Sequence, residues 1–334
     1  MLAIAVVAVA SLWPNASRSD SVLRRITNTP ETGINLNPSI SGDGHRIGFE
    51  STEDLSNQGG ASGFHAFAAD ITTNPAQFLR LALSRAVAPG ISQDGSRITF
   101  ASSSDPLGRN LDGNSEVFLY DGNSLRQITE TTPGSDSSRI QDGNFQPSIS
   151  DDGRFIAFAS NRNLANQNSD ANLEAFVFDT VAQAFSQITN TVGSVGVKSV
   201  KISGNASQVA YVRDTGTTAA PKRDLVIYNR QTAAVQVIAA NVNTVALTYG
   251  RAISDDGTRV VYALQTATNT TQVFLYDSRA NGARQLTTLA ARATDVPLNP
   301  TISGDGKRIT FATRRNPVGT NSDGGVELFL YDIP

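Results

Sequence analysis

One phrase returns six times along the 334 residues, and no other feature restricts the fold as tightly. NPSISGDGHRIGF begins at residue 37, APGISQDGSRITF at 88, QPSISDDGRFIAF at 146, SVKISGNASQVAY at 199, GRAISDDGTRVVY at 250 and NPTISGDGKRITF at 299. The Ile-Ser pairs start at 40, 91, 149, 202, 253 and 302, so the intervals are 51, 58, 53, 51 and 49 residues. A repeat of that length is one four-stranded blade of a propeller.

Each phrase reads as a hairpin. The Ile-Ser segment is a short strand, and the Asp-Gly that comes next supplies a tight turn, because Gly accepts positive φ and Asp bonds its own backbone. The next strand alternates strictly, as in Ile47/Phe49, Ile98/Phe100, Ile156/Phe158, Val209/Tyr211, Val260/Tyr262 and Ile309/Phe311. Alternation of β-branched and aromatic residues marks a strand with one buried face. The fourth copy has Asn205-Ala206 in place of Asp-Gly, which predicts a looser turn.

Third strands come next at FHAFAAD (64–70), EVFLYD (116–121), EAFVFD (174–179), DLVIYN (224–229), QVFLYD (272–277) and ELFLYD (327–332). Fourth strands number five: FLRLAL (78–83), LRQIT (125–129), FSQIT (185–189), VQVIA (235–239) and ARQLT (283–287). The sixth is expected at the other end of the chain, where SVLRRIT (21–27) reads like LRQIT. The prediction is an all-β, six-bladed β-propeller over residues 21–334, its last blade closed by the N-terminal strand 21–27. Closure removes the exposed edges that open sheets must protect.

The pattern xPSxSxDGxxIxF…LYD…IT resembles the WD-like propeller repeat of the TolB family, and the resemblance covers residues 21–332. It implies the fold specifically and function only weakly. The family's docking with the lipoprotein Pal in the Gram-negative envelope is not carried over to this chain.

Composition narrows the function classes. Lys and Arg total 27 against 30 Asp and Glu, with no basic cluster, so a nucleic-acid partner is not expected. There is no cysteine, which removes disulfides and thiolate chemistry. Residues 2–13 are almost wholly apolar, and Ala8-Val9-Ala10 fits a signal-peptidase site, so residues 1–17 read as an export leader. No Lys or Arg precedes the run, and a buried N-terminal strand is the alternative. The run is too short to span a bilayer, which takes about 20 apolar residues. The expected location is periplasmic or extracellular, and the expected state is a monomer.

Three loops before third strands carry oxygen-bearing residues at alternate positions. These are Asn110, Asp112, Asn114 and Glu116; Asn168, Asp170, Asn172 and Glu174; and Asn321, Asp323 and Glu327. Such spacing can wrap Ca²⁺, which takes 6–8 oxygens. Asn, Asp and Gly are also the residues of ordinary hairpin loops, so a purely structural turn is the competing reading. Propeller topology puts these loops on the same face as the long connection 129–146, whose Asp136, Arg139, Asp142 and Asn144 are candidates for touching a partner. The two histidines are expected to be peripheral, His45 exposed beside a turn and His65 at a loop edge.

Three functions fit these features. The first is an exported, non-catalytic scaffold for a protein or envelope component. The second is a hydrolase or polysaccharide lyase on a propeller, since the fold does not exclude a site. The third is a calcium- or ligand-binding module.

Overall fold

The computed structural model describes residues 26–30, 33–41, 45–59, 63–83, 89–134, 143–193, 195–217, 219–266, 270–292, 297–319 and 327–333. Among them every regular element is a strand. Blade one holds β1 (Asn35–Ile40), β2 (Arg46–Ser51), β3 (His65–Asp70) and β4 (Gln77–Leu83). Blade two holds β5 (Gly90–Ile91), β6 (Ile98–Ser102), β7 (Glu116–Tyr120) and β8 (Leu125–Gln127). Blade three holds β9 (Asn144–Ile149), β10 (Phe155–Ser160), β11 (Glu174–Asp179) and β12 (Ala184–Gln187). Blade four holds β13 (Val197–Ile202), β14 (Gln208–Asp214), β15 (Arg223–Asn229) and β16 (Val235–Val242). Blade five holds β17 (Val245–Ala246), β18 (Arg259–Gln265), β19 (Thr271–Asp277) and β20 (Gly282–Gln285). Blade six holds β21 (Thr301–Ile302), β22 (Arg308–Thr313) and β23 (Glu327–Asp332). Each blade is an antiparallel meander, and the six form a ring.

The alternation read from the sequence sets the register. Phe49 pairs with Phe67, Phe100 with Phe118, Phe158 with Phe176, Tyr262 with Phe274 and Phe311 with Phe329, all across second and third strands. These five pairs stack with centroids 5.6–6.1 Å apart. An aromatic pair adds about 0.5–1.5 kcal/mol beyond its buried area. In blade four Tyr211 pairs with Val226 instead. The apolar clusters run between blades, as where Ala66, Ala68 and Leu81 of blade one meet Ile91, Ile98 and Phe100 of blade two.

In blades two, three, five and six the serine of the Ile-Ser pair clamps the turn after it. Ser92, Ser150, Ser254 and Ser303 donate to Asp94, Asp152, Asp256 and Asp305 at 2.5–2.7 Å. The turn at Asn205-Ala206 is not looser, contrary to expectation. Ser203 donates to Asn205 Oδ1 at 2.8 Å, Ser207 N donates to the same oxygen, and Ala206 takes the left-handed φ of 58° that Gly holds elsewhere.

Blade six has three strands among the described residues, and residues 21–25 of the expected closing strand lie outside them. The adjoining residues 26–30 behave as the repeat requires. Ile26 packs on Phe49 and Phe67 of blade one, as Ile128 packs on Ile149 and Phe158 of blade three. Asn35 donates to Thr29 at 3.0 Å, and its counterpart Asn144 donates to Thr131 at 3.0 Å.

The inner strand of blade five departs from the repeat. β17 pairs only Val245 and Ala246, and the strand expected at Ile253-Ser254 is reduced to a bridge between Ile253 and Val260. Of the irregular stretch Leu247–Ala252 between them, residues 249–252 face the centre of the ring.

Candidate functional site

Two places gather polar chemistry: the loops before the third strands, and the channel down the middle of the ring.

In the loops, two of the carboxylates read as candidate cation ligands, Glu116 and Glu174, turn inward. Glu116 is fully buried at the start of β7 and accepts from Thr129 Oγ1, Thr131 N (2.7 Å), Thr131 Oγ1 (2.6 Å) and Asn144 Nδ2 (2.9 Å). Burial pushes its carboxyl above the ordinary value, against the lowering effect of the threonine bonds. Glu174 repeats the arrangement with Thr189 Oγ1, Thr191 N and Thr191 Oγ1. Blade five has Gln272 at this position, whose Oε1 accepts from Thr287 Oγ1 and Leu289 N while its Nε2 donates to Leu289 O. The motif therefore straps the third strand to the segment after the fourth. Asn144, expected on a partner-facing loop, lies within β9 and is fully buried. Its oxygen accepts from Ser160 and its amide serves Glu116.

The remaining loop residues divide between surface and interior. Asp112 and Asp170 are exposed. Asn110, Asn114, Asn168 and Asn172 are 2–8% exposed. Asp136, Arg139, Asp142, Asn321 and Asp323 lie outside the described residues. Glu327 opens β23. His45 is exposed as expected. His65 opens β3 at the loop edge, where it is buried against Phe67, and burial together with the nearby Arg80 charge lowers its pKa.

The channel has a volume of about 590 Å³. Its wall is made by the residues before each Ile-Ser pair, which are small in most blades: Ser39, Gly90, Ser148, Ala252 and Thr301. Blade four places Lys201 there instead. Lys201 is 3% exposed, its ammonium donates to Tyr249 O at 2.8 Å, and no carboxylate among the described residues pairs with it. Burial alone lowers its pKa from 10.5 to about 8. Tyr249 belongs to the irregular stretch of blade five, so the departure from the repeat in one blade receives the lysine of the next.

At the turns that follow the inner strands, Arg251 bridges Asp151 (3.0 Å) and Asp255. The two aspartates flank Gly204, where a Cβ would collide with Asp151 Oδ2 and lie 2.8 Å from Asp255 Oδ1. Glycine is needed there for close approach, not for its φ. Backbone bonds from Asp151 N to Gly204 O and from Asp255 N to Gly304 O tie neighbouring blades at the same level. The guanidinium ties the two carboxylates into one ion-paired group.

Lys201, Arg251, Asp151 and Asp255 were not singled out from the sequence. The signal was present in the repeat itself: Pro-x-Ile-Ser in blades one, two, three and six becomes Val200-Lys201 and Arg251-Ala252 in blades four and five.

The class defined by these features is the six-bladed β-propeller with a polar central channel. Within that class the fold is TolB-like. It is similar to TolB from Acinetobacter baumannii at 16% identity and TM-score 0.53, covering 86% of this chain and 61% of that one. A putative TolB from Agrobacterium tumefaciens matches at 15% identity and TM-score 0.51, covering 93% and 94%. An oligogalacturonate lyase from Vibrio parahaemolyticus matches at 12% identity and TM-score 0.55, covering 90% and 77%. The chain thus spans 61% of the length of the Acinetobacter TolB. At such identities the likeness is one of fold. No protein-family model matches the sequence, and no curated protein matches it. Among the described residues no helix is long and apolar enough to cross a membrane, which says nothing of membrane β-barrels.

Proposed function

We propose that this protein is an exported, non-catalytic scaffold of the cell envelope that takes an acidic group of a protein or envelope partner into its central channel. The observation that carries the reading is Lys201. A buried ammonium without a carboxylate is costly to the fold, and a channel is where propeller and barrel folds commonly present such a group to a ligand. The pairing of Asp151 and Asp255 through Arg251 supports binding over acid–base chemistry. The apolar leader and the TolB-like repeat support export. The test is retention from envelope extract on immobilised protein, with Lys201→Met as the comparison and with Ca²⁺ present or chelated. A species held by the wild type and lost from the variant is expected. No retained species, or equal retention by the variant, refutes the reading.

A polysaccharide lyase is the second reading, and the lowered pKa of Lys201 is what favours it. A neutral amine in the channel could remove the proton next to a uronate carboxylate as the glycosidic oxygen leaves, giving an unsaturated sugar. Ultraviolet absorbance of that product across a panel of acidic polysaccharides tests it. No product from any of them ends this second reading.

A further inference from the structure

The asparagines of two loops have amide oxygens that nothing satisfies. Asn110 Oδ1, Asn114 Oδ1, Asn168 Oδ1 and Asn172 Oδ1 are closed to solvent and accept no hydrogen bond. All four belong to residues at least nine-tenths buried. A buried acceptor of this kind calls for a partner. Rotating the amides does not supply one. Asn110 Nδ2 donates to Ser104 O (3.1 Å) and Asn114 O (3.0 Å), and Asn114 Nδ2 donates to Thr131 O and Thr131 Oγ1. Asn168 Nδ2 donates to Asn172 O (2.9 Å), and Asn172 Nδ2 to Thr191 Oγ1 and Val195 O. A flip would set an oxygen against a carbonyl in each case, so the orientation is fixed by the donors.

The same pair of oxygens is orphaned at the same two positions in blades two and three, and a carboxylate lies between them in sequence. Asp112 Oδ1 accepts from Asn114 N at 3.5 Å, and Asp170 Oδ2 accepts from Gly193 N at 3.1 Å. The glutamates are not available, because threonines hold them from the inner side. We propose that each loop binds one hard divalent cation, Ca²⁺ by its chemistry, with Asn110, Asp112 and Asn114 as ligands in one loop and Asn168, Asp170 and Asn172 in the other. Carbonyl oxygens plus a carboxylate are the donors Ca²⁺ takes. A cation approaches them at about 2.3–2.6 Å, whereas a water would stand about 2.8 Å away beside oxygens already closed to solvent. Backbone carbonyls and water complete the shell. The loop before β23 carries Asn321 and Asp323 but has Gly325 where the second asparagine stands, so the expected number is two, not three.

The test uses the full chain, stripped with a chelator and dialysed to equilibrium against radioactive Ca²⁺ in KCl. Two ions per chain are expected, with a rise in melting temperature on the order of 5 °C at saturating Ca²⁺. Asp112→Asn and Asp170→Asn are exposed, isosteric changes and should each remove one ion, the double variant both. Their melting temperatures in chelator should match the wild type, showing that the loops still fold. A stoichiometry other than two, no thermal shift at millimolar Ca²⁺, or ions retained by the double variant overturns the proposal. The first two of these results leave the oxygens to water, and the third puts the ion elsewhere.

Discussion

Replacing Lys201 by methionine should stabilise the protein, and the gain should disappear in base. The lysine is 3% exposed, and burial moves its pKa from 10.5 to about 8. That displacement corresponds to roughly 3 kcal/mol of penalty on the charged form. Methionine fills similar volume without the charge, and the one side-chain bond lost is to Tyr249 O. Below pH 8 the lysine is protonated in both folded and unfolded chains, so the whole penalty is present. Between pH 8 and 10.5 the unfolded chain holds the proton and the folded one releases it, so wild-type stability rises with pH. Above 10.5 both forms are neutral and the penalty is gone. At about 2 °C per kcal/mol for a chain of this size, the variant should melt ~5 °C higher at pH 7. The two proteins should converge near pH 10.5. Urea and thermal melts at half-unit steps from pH 7 to 10.5 measure this, and taking the difference cancels the other titrating groups. A variant less stable at pH 7, or a gap that does not change with pH, refutes the argument.

Three further outcomes rest on the same geometry. Glu116→Ala should cost about 3–5 kcal/mol in urea denaturation, because it leaves Thr131 N and Asn144 Nδ2 buried without an acceptor. Glu116→Gln should cost less, on the order of 1–2 kcal/mol, since one amide hydrogen must face a threonine donor. Deleting residues 1–27 should lower the melting temperature while deleting 1–17 leaves it unchanged, and Asn35→Ala alone should cost about 1 kcal/mol through its bond to Thr29. Arg251→Met should destabilise by about 1 kcal/mol in urea denaturation at pH 7, by leaving Asp151 and Asp255 facing one another without the guanidinium.

Much of this was legible because it is local. The Ile/Phe alternation fixed which face of each second strand is buried, and the stacked pairs result from register once the hairpins form. The serine-to-aspartate clamp lies within three residues of chain, so even Asn205-Ala206 keeps it, where composition alone suggested a looser turn. The illegible part depends on distant chain. Glu116 meets Thr129, Thr131 and Asn144, which lie 13, 15 and 28 residues away, and nothing in the spacing of the loop tells it to turn inward. Asn144 sits at the end of a long polar connection and reads as surface, yet β9 takes it into the sheet. Lys201 is the sharpest case. A lysine in a strand is usually exposed, and only ring closure puts this one inside.

The placement of these exceptions is itself informative. A repeat protein solves one packing problem several times, so positions where a blade departs from the repeat are those the fold did not dictate. Blades one, two and three put proline and a small neutral residue on the channel wall, and blade six puts Thr301 there. Blades four and five put Lys201 and Arg251 there, and blade five also gives up the regularity of its inner strand between Leu247 and Ala252. These departures are neighbours: Tyr249 of the irregular stretch receives Lys201, and Arg251 joins the turns of blades three and five across Gly204. A ligand held on the ring axis would make comparable demands on all six blades. On the proposed reading, changes confined to two adjacent ones would put the contact off the axis, against blades four and five. Substituting Ser39 or Gly90 on the opposite wall should therefore disturb binding far less than substituting Lys201.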